Sequence, residues 1–133
     1  MNHDILQPAG WPRPRGYSNG IAATGRQIFL SGQIGWDAEC RLVSDRFSEQ
    51  VRQALRNIVA VLDAAGGRAE HLVRLTWFIT SRTEYLAEAR DIGAAYREII
   101  GRYYPAMSVV EVSALVEAGA KVEIEATAVI PAA

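Results

Sequence analysis

The chain is short of most residues that build specialised sites. Cys40 is the one cysteine in 133 residues, which excludes an intramolecular disulfide and a cysteine-built metal cluster. The two histidines, His3 and His71, lie far apart with no companion at ligand spacing, so no metal site and no cofactor are expected. Lys121 is the only lysine, and the 14 basic and 15 acidic residues leave a net charge of -1. That balance gives no electrostatic pull toward nucleic acid or an anionic membrane surface. No apolar run approaches the length of a membrane helix. Residues 1–8 lack the apolar centre of a signal peptide, so a cytoplasmic location is expected. There is no repeat, linker or low-complexity stretch, no Gly-rich phosphate loop and no Ser-His-Asp pattern. One domain is expected over residues 1–133, with residues 1–15 as an extended N-terminal arm rich in Pro and Gly.

Half the residues are hydrophobic, enough for one core that buries roughly two-thirds of the unfolded surface. Gly16 to Thr24 and Gln27 to Ile34 read as two strands, and Gly25-Arg26 between them suits a hairpin turn. Phe47, Val51, Leu55, Ile58 and Leu62 recur at steps of three or four, predicting a helix over 45–65. Ser44 or Asp45 is its expected cap, and Gly66-Gly67 its left-handed end. Residues 72–80 alternate as a strand with Val73, Leu75, Trp77 and Ile79 on one face and Arg74, Thr76 and Phe78 on the other. Ser81-Arg82-Thr83-Glu84 fits a capping box. It opens a second helix with Leu86, Ala89, Ile92, Tyr96 and Ile99 on one stripe, ending near Gly101. Strands are expected near 106–114 and 121–130; in the latter Val122, Ile124, Ala126 and Ala128 alternate with Glu123, Glu125 and Thr127.

The predicted order is β-β-α-β-α-β-β. Strands joined through crossing helices imply a mixed sheet with both helices on one face. The other sheet face then needs cover, which points to self-association.

Four segments together resemble the RidA/YjgF family from about Gly16 to Val129. They are Gly16-Tyr17-Ser18-Asn19-Gly20, Phe29-Leu30-Ser31-Gly32-Gln33-Ile34, Thr76-Trp77-Phe78-Ile79, and the paired runs Tyr104–Val112 and Lys121–Val129. The resemblance implies an α+β, chorismate-mutase-like fold and a homotrimer whose sheets pack around a central barrel. It also implies small-molecule metabolites bound in clefts between subunits. Tyr17, Ser31, Phe78, Met107, Val109 and Glu123 map to that cleft. In active family members an arginine after the Pro-Ala pair grips the substrate carboxylate; here that position is Met107. The Val109 N–H would help fix the ligand, and Glu123 would hold the attacking water.

An imine needs only a positioned water and a carboxylate to orient it. Methionine supplies neither charge nor donor. Losing a buried charge-assisted pair costs about 2–5 kcal/mol in affinity for a carboxylated substrate. The expected function is therefore a RidA-like hydrolase of a small enamine, imine or related amino metabolite, and not a general 2-imino acid deaminase. Arg13 or Arg15, near Tyr17 on the arm, is a candidate to replace the missing guanidinium from another direction. A non-catalytic metabolite-binding or regulatory trimer is the alternative. An endoribonuclease or translation inhibitor is a second, opposed by the near-neutral charge and the lack of a basic-aromatic groove. Taken alone, Met107 reads as packing, Tyr17 as a strand aromatic, Ser31 as a surface hydroxyl and the Glu123/Glu125 pair as a solvated strand face.

Overall fold

The structure is a computed structural model and describes residues 3–132. Its elements are β1 (Asp4–Leu6), β2 (Gly20–Ala22), β3 (Arg26–Ile34), α1 (Phe47–Ala64), β4 (Leu72–Ile79), α2 (Arg82–Ala87), α3 (Ala89–Ile99), β5 (Ala106–Glu111) and β6 (Val122–Ile130). A short 3-10 turn, Ala69–His71, leads into β4. Four strands form a mixed sheet in the order β3-β6-β4-β5. β6 is antiparallel to both neighbours, and β4 runs parallel to β5. No helix among the described residues is long and apolar enough to cross a membrane.

The core forms where the two periodicities meet. The α1 stripe Phe47, Val51, Leu55, Ile58 and Leu62 is fully buried, against Leu72, Leu75, Trp77, Ile79, Val122, Ile124, Ala126 and Ala128 of β4 and β6. Removing apolar area of this kind from water stabilises by about 25 cal/mol per Å². α3 adds Ile92 and Tyr96, and Ile100 follows it. Gln50 is the buried polar tie. Its Nε2 donates to the carbonyls of Ser44 and Gly119, and its Oε1 accepts from the Lys121 N–H.

Several expectations change. The hairpin between residues 16–24 and 27–34 does not form. β2 is three residues long and pairs with β1, inside the expected arm, while β3 pairs with β6 alone. The long alternation of β6 matches β3 over its length, which three residues of β2 cannot. The arm itself turns at Pro8–Trp11 and is held by Gln7, whose side chain donates to the carbonyls of Trp11 and Pro12.

The second helix breaks at Glu88 into α2 and α3. That break resets the helical phase, so Leu86 and Ala89 are exposed instead of joining the Ile92–Tyr96 stripe. Ser81 caps α2 as expected, its Oγ accepting from the Glu84 N–H. The Glu84 carboxylate pairs with Lys121. Neither Ser44 nor Asp45 caps α1; the N-cap position is Arg46, with no side-chain cap of its own. The strand expected to reach residue 114 ends at Glu111.

Candidate functional site

Strand register decides which expected residues can meet. Directly paired strand neighbours share a sheet face. β4 and β6 pair Phe78 with Glu123 and Thr76 with Glu125, on the face away from the helices. β4 and β5 pair Leu75 with Met107 and Trp77 with Val109. Leu75 and Trp77 are buried under the helices, so Met107 and Val109 lean to the helix side of the edge strand. One protomer therefore puts Phe78 and Glu123 on one face of its sheet and Met107 and Val109 on the other.

On the open face, the β3–β6 register slips between Leu30 and Gln33, leaving Ser31 and Gly32 outside regular pairing. Gly32 sits there because of Glu123. A Cβ at 32 would stand 2.6 Å from Glu123 Cδ and 2.7 Å from its Cγ. The bare backbone of Gly32 is thus covered by the chain's own glutamate. Ser31 is exposed beside it, and Gln33 Nε2 donates to the Ser31 carbonyl at 3.2 Å. The arrangement holds a half-buried carboxylate of β6 against a bare backbone on the edge strand β3.

The other group is assembled by the arm. Ser18 is buried, its N–H donating to the Pro105 carbonyl and its hydroxyl to the Tyr104 carbonyl. Those two bonds pin the arm to the start of β5. They bring Tyr17 beside Met107, Ser108 and Arg74 in a cavity of about 200 Å³. Arg13 joins Tyr17 in a neighbouring cavity of about 320 Å³. Arg15 lines a third, of about 360 Å³, with Met107.

Sequence reasoning passed over Arg74. It lines the Tyr17–Met107 cavity and a second one, of about 220 Å³, with Phe29, Thr76 and Glu125 on the open face. The signal was present, since Arg74, Thr76 and Phe78 form the polar side of an alternating strand. That it shares a cavity with Glu125 of β6 was not visible without the sheet order. His3 and His71, isolated in the sequence, also meet, the His3 Nε2 lying 3.2 Å from the His71 carbonyl. Burial and the Arg68 guanidinium push the His71 imidazole below its ordinary pKa.

Residues 12–130 match the family profile of endoribonuclease L-PSP, which spans almost the whole chain and both halves of the site. The chain belongs to this family, the RidA/YjgF family of the sequence resemblance. It is similar to protein DfrA of Myxococcus xanthus, 38% identical over 119 residues that cover 85% of this chain and 84% of that protein. It is 29% identical to human 2-iminobutanoate/2-iminopropanoate deaminase, over 94% of this chain and 88% of that one. Among solved structures, YyfB of Yersinia pestis, a Rid-family protein of unknown function, superimposes with a TM-score of 0.83. It is 32% identical and covers 98% of this chain and 100% of that chain. The L-PSP family fold is therefore the α+β arrangement described above, with a mixed four-stranded sheet and its helices on one side.

Proposed function

We propose that this L-PSP family protein is a hydrolase of small enamines, imines or related amino metabolites. Its sites would lie in clefts between copies of the chain, and its substrate is narrower than the 2-imino acids. The observation that carries the reading is the Glu123 carboxylate laid over Gly32 beside Ser31. The deaminase name of relatives such as the human protein supports the reaction class.

In this reading Glu123 accepts a proton from water as the water oxygen bonds to the imine carbon. Glu123 returns that proton to the imine nitrogen, giving a carbinolamine. The hydroxyl proton then passes through the same carboxylate to the amine nitrogen as the oxygen electrons return and the C–N bond breaks, releasing ammonia and leaving a carbonyl. Tyr17, Phe78 and the Val109 N–H would hold the substrate.

The division of Phe78 and Glu123 from Met107 and Val109 between two sheet faces supports a cleft shared by two protomers, one giving Glu123, Ser31 and Phe78 and the other Tyr17, Met107 and Val109. β3 and β5 are both edge strands, and Phe29 on the open face is 73% exposed. Both features favour self-association as a homotrimer.

A coupled deaminase assay on freshly generated 2-iminopropanoate, run on the native chain and on Met107→Arg, tests the reading. Gain of activity in the variant, abolished by adding Glu123→Gln, is expected. Silence in both proteins would shift the assignment to a metabolite-binding trimer without turnover.

A further inference from the structure

We propose that the contact between His3 and His71 is an acid-released latch. It holds β1 of the arm against the start of β4 while both imidazoles are neutral, and lets β1 go when they take up protons. The latch lies away from Glu123 and Met107, so nothing in it depends on the hydrolytic reading.

β1 needs such a tie. It makes three rows of pairing with β2, Asp4 with Ala22, Ile5 with Ile21 and Leu6 with Gly20. Two strands alone are marginal in water, and this pair stands apart from the four-stranded sheet. All three residues of β1 are exposed. Among the described residues, 3–6 make one side-chain hydrogen bond, from His3 Nε2 to the His71 carbonyl at 3.2 Å. Ile5 closes a cavity of about 430 Å³ beside that bond, over Tyr103, Ile130 and Pro131.

The bonding partners fix where the ring protons sit. A carbonyl only accepts, so His3 Nε2 carries the hydrogen and Nδ1 is the bare nitrogen. That Nδ1 is buried without a partner. A protonated His3 ring would put an N–H there with no acceptor, which native structures rarely tolerate. His71 reaches the same tautomer by another bond. Its Nδ1 accepts from the Arg68 N–H at 2.9 Å, closing the Ala69–His71 turn that presents its carbonyl to His3. A hydrogen on His71 Nδ1 would face the Arg68 hydrogen, so the ring would leave and the turn would lose its cap. Each protonation therefore opposes the closed form.

The surrounding charges act in the same sense. Burial, the Arg68 guanidinium, His3 and the chain's amino terminus all disfavour a charged His71 ring, and Glu70 opposes them. Glu70 is itself paired with Arg68. Tyr103, across the cavity, donates to the Leu72 carbonyl and stays neutral, pushed up to about 12 by burial. For a base whose closed-state pKa is depressed, stabilisation is complete above the free value and is lost as pH falls below it.

Hydrogen exchange of the full chain at about pH 7.5 and about pH 5.5, corrected for intrinsic rates, tests this. Protection of the Asp4–Leu6 and Gly20–Ala22 amides should fall about tenfold or more. That is the ratio of protonated to neutral ring for one free imidazole a unit below 6.5. The α1 amides should hold, which separates release of β1 from global unfolding. His3→Gln/His71→Asn keeps a donor for the His71-position carbonyl and an acceptor for the Arg68 N–H, but titrates at neither position. Its β1 amides should stay protected at both pH values, whereas His3→Ala should leave them unprotected at both. Imidazole nitrogen shifts should show both native rings as Nε2–H tautomers at about pH 7.5. Equal protection of β1 at both pH values, no protection at the higher one, an equal fall in the double variant or in α1, or an Nδ1–H tautomer in either ring would overturn the proposal. No imine enters these measurements, so an inactive deaminase assay leaves the result unaffected.

Discussion

The carboxylate of Glu123 rests on Gly32, so close that a Cβ at 32 would stand 2.6 Å from the glutamate Cδ. Glycine at this point is a condition of the site, because any side chain would lift the carboxylate off β3.

Gly32→Ala should therefore separate folding from chemistry. The obstructing atoms belong to a flexible side chain, so the glutamate can swing away and Tm should stay within about 3 °C of the native value. Hydrolysis of whichever imine the native chain accepts should fall about 10- to 100-fold, since an ångström of misplacement has that cost. Thermal melts beside steady-state rates would check both halves, and native rates in the variant would remove Gly32 from the site.

The break at Glu88 has a second consequence. Its carboxylate accepts from the Ser48 N–H at 3.0 Å, in the first turn of α1, whose own N-cap makes no side-chain bond. Bonds from Ser48 and the Arg46 guanidinium hold the Glu88 carboxyl below its ordinary 4.5. A depressed folded-state pKa means the stabilisation is complete above the unfolded value and is lost as pH falls through the folded one. Glu88→Gln should cost about 1 kcal/mol near pH 7. That difference should shrink as pH drops below about 4.5, the ordinary value of the group. Urea unfolding of both proteins at several pH values checks the sign.

Gln50 satisfies three backbone groups from one buried side chain. Gln50→Leu keeps most of the volume but strands two carbonyls and an N–H. A loss of about 3–5 kcal/mol is expected, from about 1–3 kcal/mol for each buried group left unpaired and partial rescue by water. Urea midpoints at unchanged m would report it. A loss under about 1 kcal/mol would show that water replaces the amide fully.

Among the described residues Cys40 is the one non-glycine residue with a left-handed backbone, at φ 62, in the exposed turn where its N–H donates to the Asp37 carbonyl. Cys40→Gly should stabilise by up to about 1 kcal/mol, the strain relieved outweighing the entropy gained by the unfolded chain. A lower Tm for the glycine variant would show that the thiol contributes contacts the turn needs.

Much of this molecule follows from local chemistry. The step-three-and-four stripe of Phe47 to Leu62 and the alternation of Val122 to Ala128 each select one conformation, because only one periodicity puts all those side chains on one face. The Ser-Gly-Gln run and the Pro-Ala run carried the family, and with it the residues to look for. What the sequence left open depended on pairing between distant segments. β3 took β6 as its partner rather than β2, because six or more matched rows outweigh a short turn between neighbours. α1 drew its cap from Glu88, forty residues away, since a local Ser or Asp can cap only if the chain enters the helix at the right angle. The split of Glu123 and Met107 between two faces, and the meeting of His3 with His71, were set by strand register and by the pairing of β1 with β2. Those are properties of the assembled sheet, and no window of the sequence contains them.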